Sequence, residues 1–274
     1  MREDALLRYV QSGHKTVNGW LNPTAIHAVV TLSSAQRRHG IGGPVSEIGV
    51  HHGRLFILLH LLTEPPELSV AWDLFEHQDE NVDTSGRGDR AILLRNLARH
   101  RCDQSRIRLV AGNSVNLDRA RILDAGGGPV RLFSVDGGHT TGTTFNDLAL
   151  AEQTLCDGGL VILDDFFNPS WPGVAEGTCQ WMARPEAALV PVAIAGNKFI
   201  FTNNRERASA YAASLSTASE AYLQRRSRVF GHDVLILTRY ARTWRGVVAG
   251  TRAWRRIKDQ PIGKGLSRYF GKGF

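Results

Sequence analysis

The stretch SEIGVHHGRLFILL, residues 46–59, passes from an apolar run to a helical pattern within a few residues, and its reading decides the fold. PVSEIGV (44–50) reads as a buried strand, and residues 53–63 carry apolar side chains at helical spacing. Gly49 and Gly53 sit in the turn between them, where a backbone without side chains lets a ligand approach closely. The pattern is E-x-G-x-x-x-G, not the G-x-G-x-x-G of dinucleotide-binding enzymes.

The same alternation continues outward. LSVAWDLF (68–75), IRLVAGN (107–113), VRLFSVD (130–136) and GLVILDD (159–165) read as further strands, with helical spacing over 89–100, 114–124 and 142–156. Near-continuous apolar strands suit a parallel sheet covered on both faces. Strand and helix in turn predict an α/β fold, a doubly wound, Rossmann-like sheet. In LVPVAIAGNKFIFTN (189–203), Gly196-Asn197 between two apolar runs predicts a tight reversal. A helix from about 205 to 228 and a strand DVLILTR (233–239) are expected next. Three segments result: a helical N-terminal stretch, 1–40, that forms part of a lid; a domain over 41–239; and a basic tail over 240–274.

In such sheets ligands bind beyond the carboxyl ends of the strands. Glu47 and Gly49 end the first strand, Asp73 the second, Asn113 and Ser114 the third, Asp136 the fourth, and Asp164 with Asp165 the fifth. Asp73 can accept hydrogen bonds from both hydroxyls of a ribose, or cap its own loop. The polar loop EHQDENVDTSGRG (76–88) that follows is long enough to cover a bound ligand. Neighbouring parallel strands run about 4.8 Å apart, so Asp136, Asp164 and Asp165 converge if their strands are adjacent. Three carboxylates in one cleft require a cation, and Mg²⁺ with oxygen ligands is the default. Alternatively Asp164 or Asp165 caps the following turn and Asp136 hydrogen-bonds the cofactor. His139 either takes a proton from an attacking hydroxyl or bonds the loop backbone. Asn168, Trp171 and Glu176 follow the acids and are candidates for an acceptor pocket, where a sugar face stacks well on an aromatic ring.

These motifs in this order, from residue 40 to 203, resemble class I S-adenosylmethionine-dependent methyltransferases. The likeness is closest to the small-molecule and sugar O-methyltransferases related to the metal-dependent catechol type. It implies a mostly parallel seven-stranded sheet with one late antiparallel strand, and S-adenosylmethionine as cofactor. Glu47 and Gly49 would then hold its methionine end and Asp73 its ribose, with Asn113 and Ser114 near the adenine and Gly53 also among the cofactor-binding residues. Asn113 stands where the family usually has an acid. The metal positions of that group match Asp136, Asp164 and Asp165, the last an acid where catechol-type enzymes carry Asn. The implied reaction is methyl transfer to a small hydroxylated acceptor such as a sugar. A nicotinamide-dependent oxidoreductase or a non-catalytic nucleotide-binding module are the competing readings.

Composition narrows the partners. The net charge of +7 is local: residues 239–274 hold ten Lys/Arg and one acid, leaving 23 basic and 25 acidic residues before them. A near-neutral body argues against a nucleic-acid groove. On a helix, the tail places Trp244 and Trp254 opposite Arg242, Arg245, Arg252 and Arg256. Such a helix either packs its aromatic side on the domain or on a second subunit, or lies on an anionic membrane surface. The three cysteines form no CxxC pair, and no apolar run reaches the roughly 18 residues of a membrane span. A cytoplasmic protein with reduced thiols is expected.

Overall fold

The computed structural model describes residues 2–240. Nine strands form one sheet: β1 (Val45–Ile48), β2 (Ser69–Asp73), β3 (Ile107–Ala111), β4 (Val130–Val135), β5 (Leu155–Leu163), β6 (Val190–Ala195), β7 (Lys198–Thr202), β8 (Tyr222–Val229) and β9 (His232–Tyr240). Their order is β3-β2-β1-β4-β5-β7-β6-β9-β8. The first five run parallel, and β7 pairs antiparallel with both β5 and β6. The sheet reverses direction of winding between β1 and β4, which is where an open α/β sheet leaves a crevice for ligands.

Helices cover both faces: α1 (Arg2–Gln11), α2 (Pro23–Arg38), α3 (Arg54–Leu61), α4 (Arg90–Arg99), α5 (Arg119–Gly126), α6 (Thr141–Thr154), α7 (Pro172–Met182) and α8 (Arg205–Ala218). Their starts follow from short polar side chains. Asn22, Asp89, Asp118, Thr140 and Asn204 each accept a hydrogen bond from a backbone N–H in the first turn of the helix they precede. Two apolar clusters result. One joins Val29, Leu32, Phe56, Leu59, Tyr211 and Leu215. The other, on the opposite face, joins Phe133, Leu148, Val161, Trp181, Phe199 and Phe201. Every residue of β1, β2 and β4 is buried, as their unbroken apolar character requires. No described helix is long and apolar enough to cross a membrane.

Two expectations need correction. The sheet has nine strands, not seven, because β8 and β9 extend it beyond β6. The helix expected to reach residue 228 ends at Ala218. Gln224 explains the stop: its Nε2 donates to the carbonyls of Ser216 and Ser219, which closes the helix end, and the chain turns into β8. Phe230 and Gly231, both at positive φ, then make the reversal into β9. Arg225, Arg226 and Arg228 lie exposed on β8, a charged edge that opposes pairing with other chains. Tyr240, which a helical tail would include, instead ends β9; the rest of the basic tail lies outside the described residues.

Candidate active site

A cleft of about 930 Å³ opens at the carboxyl ends of β1 to β5. At its floor β1 and β4 are pressed together. Gly49 has φ +81°, and a Cβ there would stand 1.7 Å from the carbonyl oxygen of Asp136, so only glycine fits. Beside it Glu47 is buried; its Oε1 accepts from Ser134 Oγ at 3.3 Å, whereas Oε2 has no hydrogen-bond partner. Burial holds its carboxyl well above the usual range, against the opposing pull of Lys198. Asp73 lies at the end of β2, where Oδ2 accepts from the His51 N–H at 2.8 Å and Oδ1 from the Phe75 N–H at 3.0 Å. Each oxygen keeps a lone pair for a ligand. Asn113 and Ser114 line the far wall, with Asn113 Oδ1 accepting from the Val115 N–H at 3.2 Å.

The acids at the other end of the cleft have met a cation of their own. Lys198, the first residue of β7, is 1% exposed, and its Nζ donates to Asp164 Oδ2 and lies 3.4 Å from Asp136 Oδ2. Burial alone would lower its pKa, but the charges of Asp136 and Asp164 raise it instead. Asp164 Oδ1 accepts from Asn197 Nδ2 at 2.6 Å and from the Asp165 N–H at 2.9 Å. Asp165 stands at φ +59° and turns its carboxylate elsewhere, toward Asn168 Nδ2 at 3.1 Å and His139 Nε2 at 3.3 Å. Asp136 borders the cleft, and burial, then the charge of Asp164, push its carboxyl well above the usual range.

His139 is clasped on both sides. Its Nδ1 lies 2.7 Å from Asp83 Oδ2, its backbone N–H donates to the same oxygen at 2.7 Å, and Nε2 faces Asp165. Burial would lower its pKa, but the hydrogen bonds to Asp165 and Asp83 push it up to about 9. Its ring stacks on Trp171 at 4.3 Å. Asp83 belongs to the polar loop after β2, and Gln78, Asn81, Val82, Ser85 and Gly86 of that loop also line the cleft. The segment Gly19–Asn22 of the N-terminal stretch forms another wall, with Trp20 73% exposed at the opening.

A model of the methyltransferase domain family matches residues 46–166 of this sequence, the span that supplies most of the residues lining this cleft. Over that span the chain is similar to a methyltransferase domain. The O-methyltransferase NovP has a similar fold, with a TM-score of 0.56 at 14% identity over 67% of this chain and 81% of its own. A putative O-methyltransferase from Klebsiella pneumoniae has a TM-score of 0.49 at 17% identity, covering 72% of this chain and 88% of its own. For CalS11, a TDP-rhamnose 3′-O-methyltransferase, the values are 0.48, 18%, 73% and 92%. Both lie below the level at which a shared fold can be argued. A comparison with curated protein sequences finds no match. The match points to a methyltransferase, the same kind of enzyme that the order of the motifs implied.

The cofactor half of the cleft suits S-adenosylmethionine. An orphaned buried carboxylate oxygen on Glu47 matches the ammonium of a methionine moiety, and Gly49 leaves room above the floor. Gly53 has a different role from the one expected. It starts α3 at φ +89°, and a Cβ there would strike Leu93 at 2.4 Å, so it packs α3 against α4 outside the cleft. Glu176 also lies outside, exposed on α7 with Oε2 accepting from Thr141 Oγ1 at 2.8 Å. Asn168 and Trp171 do line the cleft. The three-acid metal set does not assemble as expected, because Asp164 is taken by Lys198 and Asn197 and Asp165 faces His139. One ligand atom each of Asp136, His139 and Asp165 lies within 4.8 Å of the others, but both ring nitrogens of His139 are engaged with carboxylates. As a cation held between two acids, His139 is also not a free base. Lys198, Asn197 and Asp83 join the site without having been among the site residues expected from the sequence. A lone lysine at the head of an otherwise apolar strand was the available sign, since a buried ammonium must find a counter-charge.

Proposed function

We propose that this protein transfers a methyl group from S-adenosylmethionine to a hydroxyl of a small polyhydroxylated acceptor, a sugar or glycoside being the best fit. The observation that carries this is the two-ended cleft: a glycine floor with an unpartnered Glu47 oxygen at one end, and carboxylates beside Trp171 at the other. When bound, the cofactor supplies an electrophilic sulfonium methyl, and the electron pair of the broken S–C bond returns to sulfur. Glu47 binds the ammonium, Asp73 the ribose hydroxyls, and Asn113 with Ser114 border the base. Asp136 receives the proton of the acceptor hydroxyl, since a carboxyl raised by burial holds a proton better than an ordinary one. His139 fixes Asp165 and Asp83 as a positioning residue, and Trp171 with Asn168 flanks the acceptor. A sugar presents an apolar face to an aromatic ring and hydroxyls to carboxylates, which matches this wall. No step is assigned to Mg²⁺, because the acids expected to bind it are otherwise engaged.

Calorimetry with S-adenosylmethionine tests the reading first. Wild type should bind it, and Asp73→Ala should weaken binding about tenfold or more by removing a charged acceptor. Methyl-labelled cofactor offered with a panel of sugars, glycosides and phenols should then label a sugar hydroxyl, with the product identified by mass. Absence of cofactor binding by wild type would overturn the proposal.

A further inference from the structure

We propose that Lys198 is the resident cation of this site, holding between Asp136 and Asp164 the place a divalent ion would need, so that methyl transfer by this chain requires no metal. The geometry is built in by the β6–β7 hairpin. Leu163 of β5 pairs with Phe199 of β7, and one residue on, Asp164 and Lys198 face each other. The turn before β7 contributes Asn197 to the other oxygen of the same carboxylate. Asp164 therefore accepts from Lys198, Asn197 and the Asp165 backbone, which leaves one of its roughly four lone-pair directions free.

Charge and space agree. Asp164 is 5% exposed and Lys198 1%, so each would be costly to bury without the other. Mg²⁺ demands near-octahedral oxygen coordination and keeps several waters. An ammonium wedged between the two carboxylates fills that volume with one charge and three donors. The carboxylate that would complete a metal set, Asp165, is drawn off by His139 and Asn168. An ammonium cannot coordinate the acceptor hydroxyl as a metal would. Its part is to hold Asp136 in place and open to the cleft, where it accepts the proton of the acceptor hydroxyl. That last step rests on the methyl-transfer reading, whereas the occupancy of the metal position does not.

Mn²⁺ titration followed by electron paramagnetic resonance separates the two. Wild type should leave Mn²⁺ free in solution. Lys198→Ala should take up one Mn²⁺ per chain, and Lys198→Ala combined with Asp164→Asn should lose it again. Stoichiometric Mn²⁺ on wild type that Asp164→Asn abolishes would overturn the proposal, as would a folded Lys198→Ala that binds none. If Lys198→Ala fails to fold, the wild-type titration still decides. In the labelling assay, EDTA should leave wild-type methylation unchanged; loss of labelling that Mg²⁺ restores counts against a metal-free reaction. A wild type that binds neither Mn²⁺ nor S-adenosylmethionine would uphold the lysine's place and overturn the methyltransferase reading.

Discussion

Asp147 illustrates how a single residue couples burial to pH. It sits on α6 with Oδ2 buried and unpartnered, and burial pushes its carboxyl up to about 7. Below about pH 3 the folded and unfolded chains both keep the proton. As pH rises toward 7 the unfolded chain ionises first, so stability falls and then levels off. Asp147→Asn should therefore match wild type in acid and exceed it by on the order of 3 kcal/mol at neutral pH. Thermal melts from pH 4 to 8 check this, and a constant difference across the range would show that charge is not the cause. Asp83 stands in contrast. Despite burial, hydrogen bonds from Ser85 and His139 lower it to about 2, so it is an anion at neutral pH.

At the scale of elements, the loop after β2 is tied down by the Asp83–His139 contact. His139 has a folded pKa near 9, above its ordinary 6.5, so the charged contact contributes fully below about 6.5 and is lost as pH rises through 9. Proteolysis or amide exchange in residues 76–88 should accelerate at high pH in wild type and be fast at every pH in Asp83→Ala. A flat profile in wild type would mean that the backbone bond from His139 alone holds the loop. The sequence made the loop legible as a long polar insert beside the site. It could not reveal which acid meets which histidine across 56 positions, because that choice is made by tertiary packing. Local signals were reliable where one face decided the pattern, as in β1, α3 and the Gly196-Asn197 reversal. They failed over 205–228, where the end of α8 depends on Gln224 reaching back from β8.

For the whole molecule, the N-terminal stretch is part of the fold rather than an attachment. Buried Arg131 of β4 donates to Ser33 Oγ at 3.0 Å and Gln36 Oε1 at 3.1 Å on α2, and to the Leu62 carbonyl at 2.8 Å. Deleting residues 1–39 would strip two of these acceptors and uncover one apolar cluster. Such a chain should be insoluble or melt without cooperativity; a soluble, cooperative fragment would show the stretch to be dispensable. The parallel core and the strand-end acids were legible from apolar runs alone, because burial on both faces leaves that pattern. The far half of the sheet was less so, since β8 carries arginines that read equally as a helix surface.

The β6–β7 hairpin ties chemistry to folding fidelity. Side chains alternate along a strand, so a slip of one residue in β7 would turn Lys198 to the opposite face. Asp164 would lose its counter-charge while Phe199 took its place beside the acids. A misregistered chain would be unstable and, on the proposed function, inert, so no nearly correct version of the site would accumulate. Closing the hairpin in register is thereby also the step that sets Lys198 against Asp164 in the proposed site.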